Sequence, residues 1–451
     1  MIEKQWLKKK AEAIRRVDHI DPALYRKFGV KRGLRNEDGS GVLVGLTTIG
    51  NVHGYVMDEG ERCAVEGELY YRGINVKDVV AADRREHRFG YEEVAYLILF
   101  GDLPSARELV DWKNRIGEFR RLSDGFKENA IFSNPSKDIM NAIARAILFA
   151  YAFDSDGAPD DIALENCLAQ SVEMIGAMPT IAAYAFQAKA HYHRGASLMI
   201  RNPDPRKSTA ENILLMIRED GRYTKLEAET LDLALILHAE HGGGNNSSFV
   251  THVVTSAFTD IYSSLAASVL SLKGSRHGGA NLRVMRQMDE IREKVRDWRN
   301  PDKVAAYMER IVDRKAGDGT GLIYGLGHAV YTISDPRAQL LKRKARELAR
   351  VKGKMDEMRL FETIEERGPD IIRSRHPRAE DICANVDLYS GFVYEMLGIP
   401  KDLYTPLFAV ARCVSWCAHR MEELVNAGPI IRPAYKPLYR PRTYVPLKNR
   451  K

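Results

Sequence analysis

The sequence predicts a mainly α-helical protein with very little sheet and more than one hydrophobic core. Apolar residues recur at helical spacing through most of the chain after Asn75, a pattern that is typical of amphipathic helices. Several of these stretches are rich in alanine, which permits close helix packing. The length of 451 residues exceeds what one core usually supports, so we expect two domains.

The N-terminal region is expected to hold one surface helix and a small hairpin. Residues 1–17 are basic but include Glu3 and Glu12 and lack an apolar central run. This composition does not fit a signal or transit peptide and predicts a short amphipathic surface helix. Residues 43–53 alternate apolar and small polar side chains, which favours one or two short strands, with residues 64–74 as a pairing partner.

The remaining elements are predicted helices, followed by an extended tail. Pro179 is expected to kink or restart the helix that contains it. The tail from Gly428 is basic and has five regularly spaced prolines, so it is either frayed or laid over a partner subunit. The predicted helices cover residues 91–100, 142–153, 164–190, 208–216, 225–238, 283–295, 304–315, 336–351, 388–397 and 406–425.

Composition narrows the class of protein. No apolar run reaches the length of about 20 residues that a membrane-spanning helix needs. The net charge of +7 fits nucleic acid or small polyanions, but no nucleic-acid motif or basic–aromatic surface is present, which favours phosphates and carboxylates. The five cysteines have no metal-binding spacing, and buried free thiols in a reducing cytoplasm are expected.

Three segments place a reactive side chain beside glycine. The first is Ser-Arg-His-Gly-Gly-Ala-Asn at residues 275–281, where His277 follows a long apolar helix. In the second, His328 follows Gly-Leu-Gly. In the third, Asp387 follows Asn-Val and Gly391 comes shortly after. Glycine lets the chain adopt positive φ and lets a ligand approach the backbone closely. We therefore expect the three segments to meet in one cleft.

A histidine pair raises the alternative of a metal site. His238 and His241 lie three residues apart on one predicted helix face, which is a spacing that can ligate a metal. No third ligand is defined, and the order His-Glu-x-x-His of the metalloproteases is absent. The three glycines after His241 indicate backbone room for an organic ligand instead, so no metal is predicted.

Two arginines occupy positions that call for an anion. Arg337 follows Asp335 and Pro336 and falls in the first turn of a predicted helix, where a cation is unfavourable unless an anion binds nearby. His328 and Arg337 therefore look like anion-site residues. Arg412 lies inside an apolar helix and needs either a buried salt bridge or a bound ligand.

Taken in order along the chain, these motifs resemble those of the citrate synthase family. The resemblance implies a helical fold with a large domain of residues 1–279 and 399–451 and a small mobile domain of residues 280–398. The glycines at 278–279 and 391 would suit hinges. The matching segments are residues 69–74, 91–104, 238–248, 274–281, 325–337, 385–391 and 405–412.

The resemblance also implies the reaction, which condenses acetyl-CoA or propionyl-CoA with oxaloacetate to give citrate or 2-methylcitrate. Coenzyme A thioester is a substrate, and no cofactor is implied. The catalytic residues would be His277, His328 and Asp387. Oxaloacetate would be held by His241, Arg337, Arg412 and Arg432, the last supplied by the other subunit of a homodimer. Its spacing of 20 residues from Arg412 (432 − 412) fits the family pattern, and the resemblance therefore selects it over Arg440 and Arg442.

The residues suit this chemistry. Asp387 would remove a proton from the thioester methyl group, and a neutral His277 would donate to the enol oxygen. His328 would polarise the oxaloacetate ketone. Alternatives are a citryl-CoA lyase-like enzyme or a non-catalytic ligand-sensing relative. Arg276, Thr332 and Cys383-Ala384 depart from the family pattern, so rearranged coenzyme A contacts are expected.

Overall fold

The computed structural model describes residues 2–36, 39–58, 61–377 and 382–450, and it is mainly helical. It forms two compact units, one ending at Leu46 and one beginning at Thr47. The first unit contains α1 (Lys4–Val17) and α2 (Pro22–Lys27). Within the described part of this unit α1 buries none of its residues, as the amphipathic pattern predicted. Asp21 caps α2 by accepting from Ala23 N at 2.9 Å.

The second unit opens with a three-stranded antiparallel sheet. Its strands are β1 (Gly50–Asp58), β2 (Glu61–Tyr71) and β3 (Ile74–Asn75), in the order β1-β2-β3. Gly50 pairs with Tyr71, so the predicted pairing of the two segments is confirmed, although β1 starts later and runs further than expected. In β2, a Cβ on Gly67 would lie 2.0 Å from Ser334 O. Glycine there lets the sheet pack against the segment that leads into the site.

Helices build the rest of the second unit. Short 3₁₀ or π turns cover Lys127–Phe132, Tyr151–Phe153, Lys401–Leu403 and Leu447–Asn449. The helices are α3 (Val76–Glu86), α4 (Tyr91–Phe100), α5 (Ala106–Glu118), α6 (Asp124–Phe126), α7 (Ile139–Ala150), α8 (Leu164–Arg194), α9 (Thr209–Ile217), α10 (Lys225–His238), α11 (Asn246–Thr255), α12 (Ile261–Lys273), α13 (Ala280–Lys294), α14 (Pro301–Val312), α15 (Pro336–Lys352), α16 (Met355–Arg375), α17 (Val386–Met396) and α18 (Tyr404–Asn426).

Helix α18 is the centre of the core. All of its residues from Tyr404 to Met421 are buried except the half-buried Phe408, as in a helix that has neighbours on all sides. It packs against α4, α8, α10, α11 and α12. Helix α8 runs without interruption through Pro179, so the expected restart is wrong. Its central residues are almost all buried, and tertiary packing holds the helix together around the proline.

Other expectations met mixed outcomes. Cys63 is exposed, whereas the remaining four cysteines are buried, and all five are free thiols. The tail from Gly428 to Pro446 has neither helix nor strand, as predicted. Gly391 lies inside α17, where a Cβ would meet Met285 Cγ at 2.6 Å, so helix packing explains this glycine. No helix among the described residues is long and apolar enough to cross a bilayer. The assignment of residues 280–398 to a small domain stays a prediction.

Candidate active site

The ends of several helices meet at one buried polar cluster. It contains His241, which follows α10, and His328, which lies in the loop before α15. Their ring centroids are 5.1 Å apart in a T-shaped contact. Arg337 NH2 from the first turn of α15 lies 3.5 Å from His328 Nε2. The structure thus brings together residues that are almost a hundred positions apart in sequence.

A short bridge joins the His328 loop to the start of α17. Gly327 N donates to Cys383 O at 2.8 Å, and Asn385 N donates to Gly325 O at 2.9 Å. The Asn385 side chain adds a bond from Nδ2 to Gly327 O at 2.8 Å. Gly325 and Gly327 have φ of 90° and 85°, a backbone conformation that residues with a side chain rarely adopt. The glycines therefore allow the turn that sets His328 beside the Asp387 helix.

Asp387 sits in the first turn of α17. Its backbone N–H donates to the capping oxygen Asn385 Oδ1 at 3.0 Å. Burial raises the pKa of the Asp387 carboxyl to about 6, opposed by the charge of Arg337 and reinforced by Asp335. A carboxylate with a raised pKa is a stronger base than one in water and is still ionised at neutral pH.

His328 is held in a defined orientation by the backbone. Its Nδ1 accepts from Val330 N and Tyr331 N, both at 3.1 Å. Because Nδ1 acts as the acceptor, the proton of the neutral ring resides on Nε2. The ring also stacks on Tyr331, with centroids 4.8 Å apart. Nε2 therefore presents a donor on the side of Arg337.

Arg337 is buried and paired with Asp335. Its Nε donates to Asp335 Oδ1 at 3.0 Å and its NH2 to Oδ2 at 2.7 Å. Asp335 also caps α15 through Arg337 N at 2.9 Å and accepts from Val386 N at 3.3 Å. The arginine that seemed unfavourable in a first helical turn thus has a carboxylate partner. Asp335 raises the pKa of Arg337 despite burial.

His277 follows α12 and contacts Ser247 of α11. Its Nε2 lies 3.2 Å from Ser247 Oγ. Burial, and secondarily the charge of Arg412, lowers the pKa of His277 to about 4, so the ring is neutral at pH 7, as the proposed donor requires. Arg276 is exposed, so the neighbouring cation does not point into the buried cluster.

The glycines after His277 serve close packing rather than positive φ. A Cβ on Gly278 would lie 2.5 Å from Leu272 O and 2.8 Å from Thr405 Cγ2. Gly278 O accepts from Thr405 Oγ1 at 2.9 Å. Gly279 has an ordinary φ of −91°. The expectation that the glycines would let the chain take positive φ is therefore wrong here, and contact with α18 is the physical reason for Gly278.

Arg412 has the most unusual environment in the cluster. It is 0% exposed, and its Nε donates to His238 O at 2.7 Å. NH1 and NH2 are buried and have no hydrogen-bond partner among the described residues. The guanidinium lies over the Phe408 ring at 4.9 Å. Burial lowers the pKa of Arg412 to about 10, so the group stays charged at pH 7.

His238, the last residue of α10, and His241 lie close enough to this guanidinium to feel its charge. His238 stacks on Phe408 with centroids 4.4 Å apart. Both of its ring nitrogens, and His241 Nε2, are buried without a hydrogen-bond partner in the described chain. Burial lowers the pKa of both rings well below the usual value, and Arg337 and Arg412 add to the shift. In the described ranges, no group of three possible metal ligands includes them.

Arg432 is not part of this cluster in the single chain. It is exposed, one residue beyond Ile431, whose N–H donates to Ser256 Oγ at 3.1 Å. Thr332 is 8% exposed, so its side chain lies in the interior. Cys383 is also buried and directs its thiol to Tyr331 O at 3.6 Å. These two departures from the family pattern are interior packing residues.

Two further residues were not singled out from the sequence. Asp335 stands beside the arginine that it holds, and the Asp-Pro start of α15 was the available signal. Ser247 contacts His277 and also accepts from Trp416 Nε1 at 3.2 Å. Its hydroxyl proton has a second acceptor in Asn245 Oδ1, at 3.0 Å. The sequence holds no signal for Ser247, since its partners come from distant segments.

Comparisons with known proteins agree with this geometry. The family model described as citrate synthase, C-terminal domain, matches residues 39–434. The citrate synthase of Haloferax volcanii is 32% identical over 369 residues, covering 81% of this chain and 88% of the relative. The 2-methylcitrate synthase 2 of Corynebacterium glutamicum is 31% identical over 370 residues, covering 81% of this chain and 87% of that protein.

Solved structures show the same fold. The citrate synthase of Pyrobaculum aerophilum superposes with a TM-score of 0.75 at 31% identity, covering 92% of this chain and 95% of that one. The Thermoplasma acidophilum citrate synthase, in a ternary complex with carboxymethyl coenzyme A and oxaloacetate, also gives a TM-score of 0.75. It is 27% identical, with 93% of this chain and 99% of that one covered. The order of the motifs, the buried cluster and these likenesses together establish that the chain belongs to the citrate synthase family.

Proposed function

We propose that this protein condenses an acyl-CoA, acetyl-CoA or propionyl-CoA, with oxaloacetate to give citrate or 2-methylcitrate and free coenzyme A. The observation that carries the proposal is the buried Arg412, whose NH1 and NH2 have no partner in the described chain. An unpaired buried cation is costly unless a ligand supplies the counter-charge. A dicarboxylate supplies two such charges.

In the proposed complex, oxaloacetate lies between Arg412, Arg337, His241 and His328. Guanidinium groups bind carboxylates through paired hydrogen bonds, which fixes the orientation of the substrate. His241 Nε2 is buried and has no partner within the described chain, which leaves it available for a substrate oxygen. His328 Nε2–H then polarises the ketone and delivers the proton to the new alkoxide.

Carbon–carbon bond formation needs an enol of the thioester. Asp387 takes a methyl proton, and His277 donates a hydrogen bond to the thioester oxygen as charge develops there. If the hydroxyl proton of Ser247 goes to His277 Nε2, the ring proton is on Nδ1, and that nitrogen is the donor. The enol carbon attacks the ketone carbon, and water later cleaves the citryl thioester. These steps call for no metal or redox group.

The proposed active unit is a homodimer in which Arg432 of each chain completes the site of the other. The tail carries exposed aromatic side chains, including Tyr435 at 92% and Tyr444 at 78% exposure. A partner surface would cover them, and large exposed apolar groups are typical of interfaces. Residues 280–398 are proposed to close as a small domain over the substrates, which would shield the enol from water.

The test is thiol release from acetyl-CoA and from propionyl-CoA in the presence of oxaloacetate. We expect release with at least one, and the ratio of kcat/KM values identifies the acyl group. A methylene in a pocket changes that ratio by about 10- to 200-fold. Folded protein that binds oxaloacetate without releasing thiol would instead be a ligand-sensing relative. Cleavage of citryl-CoA without synthesis would favour a lyase.

A further inference from the structure

Two histidines and a glutamate from α11 and α18 converge beside Gly243, in the glycine loop that follows His241. They are His252, His419 and Glu422, and one potential ligand atom from each lies within 4.8 Å of the others. His252 Nε2 and His419 Nδ1 are 3.2 Å apart. Glu422 Oε2 is 3.8 Å from His419 Nδ1. Zinc–nitrogen bonds of about 2.0 Å at tetrahedral angles put ligand atoms about 3.3 Å apart, close to these separations.

The outer side of each of these groups is already occupied. His252 Nδ1 is 2.8 Å from Glu423 Oε2, and His419 Nε2 is 3.2 Å from Glu240 Oε2. A carboxylate on the far nitrogen is the usual partner of a metal-bound histidine, since it orients the ring and raises its basicity. Thr48 holds the other oxygen of Glu422 through its N–H at 2.7 Å and its hydroxyl at 2.9 Å. All three groups therefore direct their remaining ligand atom inward.

The inner oxygen of Glu422 makes no hydrogen bond within the described chain, and its contact with His419 Nδ1 is long, at 3.8 Å. Glu422 Oε2 is buried and lacks a hydrogen bond among the residues that the structure describes, and the side chain is 10% exposed. A buried carboxylate oxygen is costly to leave unsatisfied. Gly243 lies over the site, since a Cβ there would be 3.5 Å from both His252 Nε2 and His419 Cε1. Glycine therefore places no side chain over the inward-facing ligand atoms.

We propose that His252, His419 and Glu422 bind a Zn²⁺ ion, with water as the fourth ligand. Once the proton shared by the two histidines has left, the neutral imidazoles and the carboxylate suit a borderline cation. Binding displaces the proton that lies between the two histidine nitrogens, and this proton leaves to solvent. The ion would fasten α11 to α18 directly beneath the glycine loop that carries His241. This site is separate from the proposed reaction and does not depend on it.

The experiment titrates chelator-treated, full-length protein with Zn²⁺ by calorimetry, and with Co²⁺ followed by visible absorption. One ion per chain and intense tetrahedral Co²⁺ bands are expected. Glu422→Gln should abolish saturable binding, and Glu423→Gln, which removes only an orienting partner, should weaken it about 10- to 100-fold. His193→Ala removes an exposed histidine on α8 and should leave binding unchanged.

Three results would overturn the site. The first is wild-type protein without saturable Zn²⁺ binding, which would mean that the histidines only hydrogen-bond to each other. The second is equal affinity in wild type and folded Glu422→Gln, and the third is weak octahedral Co²⁺ bands in wild type; either would mean that the ion binds elsewhere on the surface. The Co²⁺ spectrum needs no variant, so the test remains decisive even if a substitution prevents folding.

Discussion

Arg412 Nε donates to the main-chain carbonyl of His238 at 2.7 Å, and this bond holds the guanidinium in place. Its other two nitrogens are buried and have no partner in the described part of the chain. A structural salt bridge would have filled those positions with a carboxylate. Instead, two charged donor nitrogens are oriented and unpaired, as an anionic ligand requires. Substituting Arg412 should therefore weaken oxaloacetate binding without lowering the stability of the fold.

Arg412→Gln should raise the KM for oxaloacetate by about 100-fold, because charge-assisted hydrogen bonds contribute about 3 kcal/mol. The melting temperature of the substrate-free protein should hold or rise, since a buried unpaired charge is removed. Steady-state kinetics give the KM, and thermal unfolding gives the melting temperature. A lower melting temperature with an unchanged KM would show that Arg412 is structural.

Asp387→Ala should lower kcat by about a thousandfold, which is the order that general base catalysis contributes. Oxaloacetate binding should persist, because Arg337 and Arg412 are untouched. The thiol-release assay measures the loss of kcat, and calorimetry measures whether oxaloacetate still binds. Turnover close to that of the unsubstituted protein would refute the assignment of the base.

The pH dependence of activity should follow the ionisation of the Asp387 carboxyl. Asp387 must be ionised to accept a proton, and its pKa is raised to about 6, so activity should fall as pH drops through that value. At pH 5 about one-tenth of the plateau kcat/KM should remain. His277, with a pKa lowered to about 4, stays neutral over this range. An acid limb that persists in the residual activity of Asp387→Ala would assign the limb to another group.

Ser247→Ala should lower kcat about tenfold, the effect of one hydrogen bond of about 1.4 kcal/mol, with little change in the KM for oxaloacetate. The hydroxyl helps to set which nitrogen of His277 carries the proton. Ser248→Ala is the matched control, because the Ser248 hydroxyl is buried and has no partner in the described ranges. Equal effects of the two substitutions would argue for packing rather than for proton placement.

The shared site can be tested by mixing two impaired chains. Arg432→Ala and Asp387→Ala are each expected to be impaired, with Arg432→Ala weakening oxaloacetate binding. In a mixed dimer, the chain that keeps Asp387 receives Arg432 from its partner, so one intact site forms. Co-refolding or subunit exchange should then restore activity in the thiol-release assay. Mixtures no more active than their components would place Arg432 outside the partner's site.

The sequence predicted those features that depend on local chemistry. Helix α10 was predicted with both ends correct, and Pro336 was placed at the first position of α15. The His277, His328 and Asp387 segments were identified because glycine and a reactive group occur together. The structure joins the His328 and Asp387 segments directly through backbone hydrogen bonds, and tertiary packing, which no local spacing shows, decides this contact.

Features that depend on packing were beyond local reasoning. Helix α16 was not predicted, because Gly368 and Pro369 interrupt its pattern. In the structure, a Cβ on Gly368 would lie 2.3 Å from Leu326 Cδ1, so the glycine serves a close contact with the bridge segment. Ser247 lies 30 residues from His277 in sequence, and no periodicity links them. Pro179 was expected to kink or restart its helix, but α8 continues through it, because burial outweighs helix propensity at this position.

The pair formed by Arg337 and Asp335 limits how the pocket could be redesigned for a substrate with a single carboxylate. Replacing Arg337 alone would leave Asp335, 1% exposed, as an uncompensated charge in the interior. The same carboxylate caps α15 and accepts from Val386 N at 3.3 Å, so it cannot be exchanged for an apolar residue. An engineered pocket would need Asp335→Asn together with the change at Arg337, which makes this arginine the most difficult specificity determinant to alter.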